Sequence, residues 1–483
     1  MAEETAEASR SGLRESGRWP AFVVCIGVGA LTILDLSGVN VALPSIEKGL
    51  HASSSQLQLI VAGYALAFGL ALVPSGRLGD MRSRRVMFLV GLAGFVAASA
   101  LCALAQNDAW LSIARFAQGA AAGTQMPQVL GLIQQLFDAE TRPRAFGAFG
   151  AMVGISTALG PTLCGLLIAV GGESDGWRLL FWLNVPCGLA ALVFALRLVP
   201  REQPSSGDTE LDPVGLLLLG ASVFCFMLPF LLTTGSGDQA ARWLWLLACA
   251  ALAAVFVWWE RRYARNGRSP VIHFELFRRG SYRNGTLLAA AYFAAMPASF
   301  LVTTLFLQQG LDLPPLDAGL VVVPFALGSA VFAWFGGRLV QRRGRAVVQL
   351  GLGFVAAGIV GLGVGAVLPP AEAAPWTMSA AMLVGGVGGG LVISPNQTLT
   401  LAEVPPEDGS VAGSIQQLGQ RIGTAVGVAA ITAVFFLFTG RSGGGRPAYD
   451  HAVVAGYAVA LGLLLVAAVI GYLDLRQRRR SDA

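Results

Sequence analysis

The sequence predicts an all-α integral membrane protein of fourteen spanning helices, and three observations predict it. Hydrophobic residues make up 55% of the 483-residue chain and charged residues only 13%, where soluble domains carry about a quarter. Apolar stretches of about 20 residues, enough to cross a hydrocarbon core about 30 Å thick, recur along the whole chain. Basic residues gather in every second connection between them, as cytoplasmic loops do.

The apolar stretches lie at 20–43, 57–75, 86–105, 109–133, 146–170, 179–199, 213–234, 242–260, 284–307, 318–336, 346–368, 376–398, 411–438 and 452–473. Many hold internal Gly or Pro, which membrane helices tolerate when their neighbours satisfy the freed backbone groups. With the amino terminus inside, 26 of the 33 basic residues fall on the cytoplasmic side and five on the other, while Arg115 and Arg421 sit within spans. One missed helix would scramble that alternation, so the asymmetry also checks the helix count. Both termini are expected in the cytoplasm. The polar first 18 residues and the spanning length of the next run predict a retained first helix, not a cleaved signal peptide.

Composition also excludes several functions. The six cysteines stand in apolar stretches without paired spacing, and His51, His273 and His451 are far apart, so no metal centre, disulfide framework or His-based catalysis is expected and no cofactor is required. The net charge of +5 is scattered between apolar segments, which argues against nucleic acid. Gly385 to Gly390 is followed by neither a strand nor a Lys and reads as helix packing, not a nucleotide loop.

The chain repeats itself. Gly76-Arg-Leu-Gly-Asp-Met-Arg-Ser-Arg84 after the second helix returns 261 residues later as Gly337-Arg-Leu-Val-Gln-Arg-Arg-Gly-Arg345 after the tenth. Duplicated halves around a midplane site are a transporter arrangement. The predicted organisation is a cytoplasmic tail (1–19), a six-helix bundle (20–199), two inserted helices with their loops (200–280), a second six-helix bundle (281–473) and a basic tail (474–483).

Asp35 is the carboxylate placed deepest in an apolar span. Such an acid costs about 2.5–3.5 kcal/mol on insertion scales and is functional by default. It lies eight residues before Leu43, about 12 Å at 1.5 Å per residue, and Arg115 lies seven residues past Asp108. The two therefore reach nearly one depth, where an ion pair is geometrically allowed. Burial favours a neutral acid and a nearby cation an ionised one, so helix motion can reset the balance, as a proton carrier requires. A static packing pair is the competing reading. Gln118 and Gln125 continue a polar stripe along the same face as Arg115 and are expected to line a cavity, with Tyr64, Tyr292, Gln308 and Asn396 as weaker cavity candidates. Asn40 reads as a bond between helices, with a substrate contact as the alternative.

These motifs resemble the major facilitator superfamily, and within it the fourteen-helix drug:proton antiporter branch of EmrB and QacA type. Gly76-x-Leu78-x-Asp80-x-x-x-Arg84-Arg85 is similar to the superfamily's loop signature, and Leu34-Asp35-x-x-x-Val39-Asn40-Val41-Ala42-Leu43-Pro44 to the branch's first-helix element. Arg115-x-x-Gln118-Gly119 resembles the embedded Arg-Gly motif of helix 4. Gly150-x-x-x-Gly154-x-x-x-x-x-Gly160-Pro161-x-x-x-Gly165 resembles the antiporter motif of helix 5. Met81, Ser83 and Cys164 depart from these patterns, and Arg421 stands in helix 13 where the family tends to have Gly.

The resemblance implies two six-helix bundles plus two inserted helices in a bacterial cytoplasmic membrane, with Asp35 and Arg115 coupling protons to export of drugs or other small amphiphiles. It also implies an inside-face charge latch at Gly76, Asp80, Arg84 and Arg85, and a bent, tightly packed helix at Gly150, Gly154, Gly160, Pro161 and Gly165. Asn40 and Pro44 are expected to pack helix 1. The expected partners are substrate, protons, the bilayer and, for some members, a periplasmic adaptor, with a monomer as the working unit. An endogenous metabolite or lipid is the alternative cargo. A membrane enzyme or receptor is the remote alternative, with no convergent catalytic residues or sizeable soluble domain to support it.

Overall fold

A chain in lipid must satisfy its backbone N–H and C=O groups internally, and helices do so within one segment. The computed structural model describes residues 2–201, 212–231, 240–441 and 446–481. Its long helices are α1 (Ala2–Leu50), α2 (Ser54–Met81), α3 (Arg84–Ala103), α4 (Asp108–Leu136), α5 (Arg142–Gly171), α6 (Trp177–Leu198) and α7 (Pro213–Leu231). They continue as α8 (Leu244–Arg265), α9 (Gly280–Leu305), α10 (Pro315–Arg343), α11 (Arg345–Val367), α12 (Ala374–Leu401), α13 (Gly409–Arg441) and α14 (Arg446–Ser481). No strand occurs among the described residues.

Thirteen of these helices are long and apolar enough to cross a membrane by themselves. The other is α4, whose Arg115, Gln118, Gln125, Gln128 and Gln134 lower its hydropathy and are all buried. Such a helix is compatible with a bilayer because its polar side chains turn inward.

Local chemistry sets several helix ends. The Asn107 side chain accepts from the Trp110 N–H at 2.8 Å and caps α4, and the Ser83 hydroxyl accepts from Val86 at 3.3 Å and caps α3. Gly344, between α10 and α11, has φ +52°, a backbone region that favours glycine. Two expected limits move. α1 begins at Ala2, so the predicted tail joins the first span as one helix, and α14 runs to Ser481 through the predicted basic tail. Residues 202–211 and 232–239 of the expected inserted unit lie outside the described residues.

Two large hydrophobic clusters fill most of the molecule, and a smaller third around Val39, Ile60, Trp177 and Phe181 lies inside the first lobe. Of the two large ones, one gathers Phe22, Phe88, Phe95, Phe137 and Phe146 from α1 to α5, and the other gathers Leu288, Tyr292, Val348, Met382, Ile431 and Tyr457 from α9 to α14. The lobes touch chiefly through α5 against α10 and α12, and through α13 against α2 and α4. α7 packs on α8 and rests on α2 and α13, over that second seam. The outer face of α8 shows Trp245, Leu247 and Trp258 to the surroundings, as a lipid-facing helix does.

The connection from α8 to α9 stitches both lobes at the Arg-rich end. Arg77 of α2 donates to Ser269, the buried Glu260 accepts from the Ile272 N–H at 3.2 Å, and His273 approaches Asp408 at 3.2 Å.

Candidate functional site

Asp35 is fully buried in α1, and Arg115 of α4 is 1% exposed. An Arg115 Nη1–H donates to Asp35 Oδ2 at 2.6 Å. The other carboxylate oxygen accepts from Asn184 of α6 at 2.8 Å and from Gln118 of α4 at 3.1 Å. Gln118 also donates to Ser99 of α3 at 2.8 Å, and its carbonyl accepts from Arg115 at 2.6 Å. The Tyr64 ring of α2 lies 4.0 Å below the guanidinium carbon, within cation–π range. Five helices of one lobe thus meet around the carboxylate and its partners Arg115 and Gln118.

The chemistry of this cage is directional. All three neighbours of Asp35 donate, which suits an ionised carboxylate that can only accept. A proton can add at the free lone-pair site of Oδ2, but it removes the charge that strengthens the three bonds from α4 and α6. A change of charge at Asp35 therefore becomes a change in helix packing.

The other expected cavity residues are distributed differently. Gln125 donates to Thr32 at 2.6 Å and ties α4 to α1. Tyr292, Asn396, Gln397, Gln416 and Gln420 line a narrow cleft between α9, α12 and α13 in the second lobe. Asn396 is also bound up in a second buried ion pair. Arg345 donates to Asp474 at 2.6 Å and to the Asn396 carbonyl oxygen, Asn396 donates to the Gly285 carbonyl at 2.9 Å, and Asn284 donates to Asp474 at 2.8 Å. Gln308 falls in a π turn, Phe306–Gly310, at the end of α9 and away from both clusters.

Helix 1 corrects the reading of Asn40 and Pro44. Both are exposed, while Val39, Ala42 and Ile46 are buried. The packing face of this half of α1 follows 39, 42 and 46, and residues 40 and 44, one turn apart, share the face turned away from it.

At the Arg-rich end Asp80 caps α13 across the seam. Its Oδ2 accepts from the Val411 N–H at 2.8 Å and its Oδ1 from the Ser410 N–H at 3.2 Å, a carboxylate at a helix N-terminus. Arg84 pairs with Asp80 at 2.6 Å and donates to the Pro406 and Glu407 carbonyls. Gly76 lets α2 approach so closely that an added Cβ would stand 2.9 Å from the Ser410 carbonyl oxygen. Arg85 departs from this group and donates to the Leu196 carbonyl at the end of α6, at 2.6 Å.

Along α5, Gly150 faces Ser394 and Ala333, and Gly154 faces Ser329, all of the other lobe. Gly160, next to Pro161, presses on Ser37 of α1, where a Cβ would lie 1.9 Å from the hydroxyl oxygen. Gly165 has open space beside it and takes no part in this packing.

Asn184 and the Arg345–Asp474 pair had no assigned role in the sequence reading. An amide inside the apolar run of α6 was the available signal for the first. Asp474 lay beyond the predicted last span, which hid the second.

A buried charge pair enclosed by five helices, in a polytopic molecule of two lobes that meet along bare backbone, is the build of a membrane transporter. The family model described as Major Facilitator Superfamily matches residues 25–428, and the chain belongs to that superfamily. It is 34% identical over 420 residues to a probable actinorhodin transporter of Streptomyces coelicolor, covering 87% of this chain and 72% of that one. It is 32% identical to the puromycin resistance protein of Streptomyces alboniger, covering 96% and 92%. Among solved structures, the human organic anion transporter MFSD10 superposes with a TM-score of 0.65 at 15% identity, covering 94% of this chain and 99% of that one. At that identity the likeness speaks for the fold alone.

Proposed function

We propose that this protein is a proton-coupled exporter of small amphiphilic drugs across a bacterial cytoplasmic membrane, acting as a monomer with both termini in the cytoplasm. The relatives named for puromycin resistance and actinorhodin transport support export of such compounds. The observation that carries proton coupling is the Asp35 cage, a carboxylate at 0% exposure held by three donors from α4 and α6.

In this reading the arrangement described above is the outward-facing, deprotonated form, closed at the cytoplasmic end by Asp80, Arg84 and the α5–α10 contact. A proton arriving from outside neutralises Asp35, releases Arg115 and loosens α1 from α4 and α6. The lobes then rock, the cap of Asp80 on α13 opens, and the acid discharges inward. Substrate loaded from the inside lets the cage re-form, and only the loaded carrier returns outward. The membrane potential contributes about 2.3 kcal/mol per charge per 100 mV.

The test uses everted membrane vesicles containing the full chain and an imposed pH gradient. A transported amphiphile collapses the gradient with the native chain and not with Asp35→Asn. Equal collapse by the variant overturns the assignment of Asp35.

A further inference from the structure

Arg421 is the second arginine set inside a spanning segment, twelve residues into the 33-residue α13. Arg115 and Arg345 are each matched by a carboxylate at 2.6 Å. Arg421 makes no ion pair and no hydrogen bond among the described residues. Its guanidinium rests 4.5 Å above the Phe68 ring of α2, across the lobe seam. A guanidinium carries five N–H donors, and a ring face occupies none of them.

Its surroundings are unsatisfied in the same way. Gln416 is fully buried with both amide atoms lacking a partner, and the Nε2 atoms of Gln397 and Gln417, 5% and 7% exposed, also lack one. The Tyr64 hydroxyl, on a fully buried residue, is unpartnered too. Gln416, Gln417, Gln420 and Arg421 occupy adjoining i, i+4 rows of α13, so they form one polar face. Gln416, Gln420 and Gln397 open onto the cleft that Tyr292 and Phe293 also line. Buried polar groups are rarely left unpaired unless something binds them.

Resting on the transport reading above, we propose that this face is the substrate-selecting site and that it takes aromatic acids. The ligand is a flat amphiphile whose ionised carboxylate, phenolate or sulfonate meets Arg421 and whose carbonyl and hydroxyl edges meet the glutamine amides. The charge count favours that sign. Asp35 is neutralised by Arg115, so the central face carries one uncompensated positive charge and repels cationic amphiphiles. The Phe68 and Tyr64 rings, stacked with centroids 6.2 Å apart, lie where an aromatic ligand displaces the guanidinium from its ring.

The test is equilibrium binding to the purified full chain, which needs no proton coupling. The probe is 8-anilinonaphthalene-1-sulfonate, followed by its fluorescence and by competition with salicylate or with the cation tetraphenylphosphonium. The native chain is expected to release the probe to salicylate and not to tetraphenylphosphonium. Arg421→Gln is expected to weaken salicylate at least about tenfold, and Arg421→Lys to retain most of the affinity. The proposal is overturned if the cation competes as well as the acid in the native chain, an outcome that needs no variant. It is equally overturned if a folded Arg421→Gln protein, judged by its gel-filtration profile, binds salicylate as tightly as the native chain. Failure of Asp35→Asn to abolish gradient collapse in vesicles concerns the coupling reading alone.

Discussion

Each lobe hides one arginine–carboxylate pair, and the two differ in depth more than in chemistry. Asp35 and Arg115 meet at 2.6 Å with Gln118 and Asn184 as amide partners, and Asp474 and Arg345 meet at 2.6 Å with Asn284 and Asn396. The first pair sits well inside α1 and α4. The second joins the opening residue of α11 to the end of α14 and, through its amides, to α9 and α12. A pair at mid-depth lies where a moving cavity can expose it, whereas a pair at the helix ends fastens a lobe into one rigid body. In the proposed function, burial and good geometry alone do not separate the coupling pair from the fastening pair; distance from the lobe ends does.

The largest expected effect breaks the comparison directly. Asp35→Asn is expected to reduce substrate-driven proton movement in everted vesicles to background while membrane insertion is unchanged. Asp474→Ala is expected to do the reverse. Stranding Arg345 in the second lobe costs about 3–5 kcal/mol, read as a lower melting temperature in detergent, and the fraction that stays folded should keep its coupling. Combining Asp474→Leu with Arg345→Met should restore much of that stability, since replacing both members of a buried pair by apolar residues is often neutral.

The next effect sharpens the contrast at the Arg-rich seam. Asp80→Ala removes the cap on α13 and the partner of Arg84, a loss of about 1–2 kcal/mol. It is expected to lengthen the distance between spin labels on the Arg-rich ends of α5 and α10. The smallest effect is at the opposite end, where Lys48 and Glu173 meet at 2.5 Å in the open. The ammonium holds the Glu173 carboxyl below its ordinary range. A depressed carboxyl stabilises above its unfolded value and loses that contribution as pH falls through the folded one. Because both groups are solvated, Lys48→Gln should leave the melting temperature unchanged at neutral pH.

Much of this was legible from the residues alone. The depth arithmetic brought Asp35 and Arg115 together because a helix converts residue count into height at a fixed rise. The repeat also carries structure: 261 residues apart, Gln135 and Asn396 each accept from the guanidinium of their lobe's motif, Arg84 and Arg345. What escaped was azimuth. Asn40 and Pro44 were placed at the right height and on the wrong face, since position along a helix says nothing of which neighbour it meets. Asn184 was visible only as a residue type, and Asp474 stood among arginines that read as a topology signal.

The seam along α5 has a mechanical implication. Gly147 abuts Ala333 and Gly337, and Gly150 and Gly154 follow it against Ala333, Ser394 and Ser329, so the two halves touch through main chain and the shortest of substituents. Such a joint has almost no rotamers to freeze when it shuts. In the proposed cycle, opening and shutting it is close to a rolling motion with little friction, and the barrier between the two faces of the carrier is left to the few charged latches.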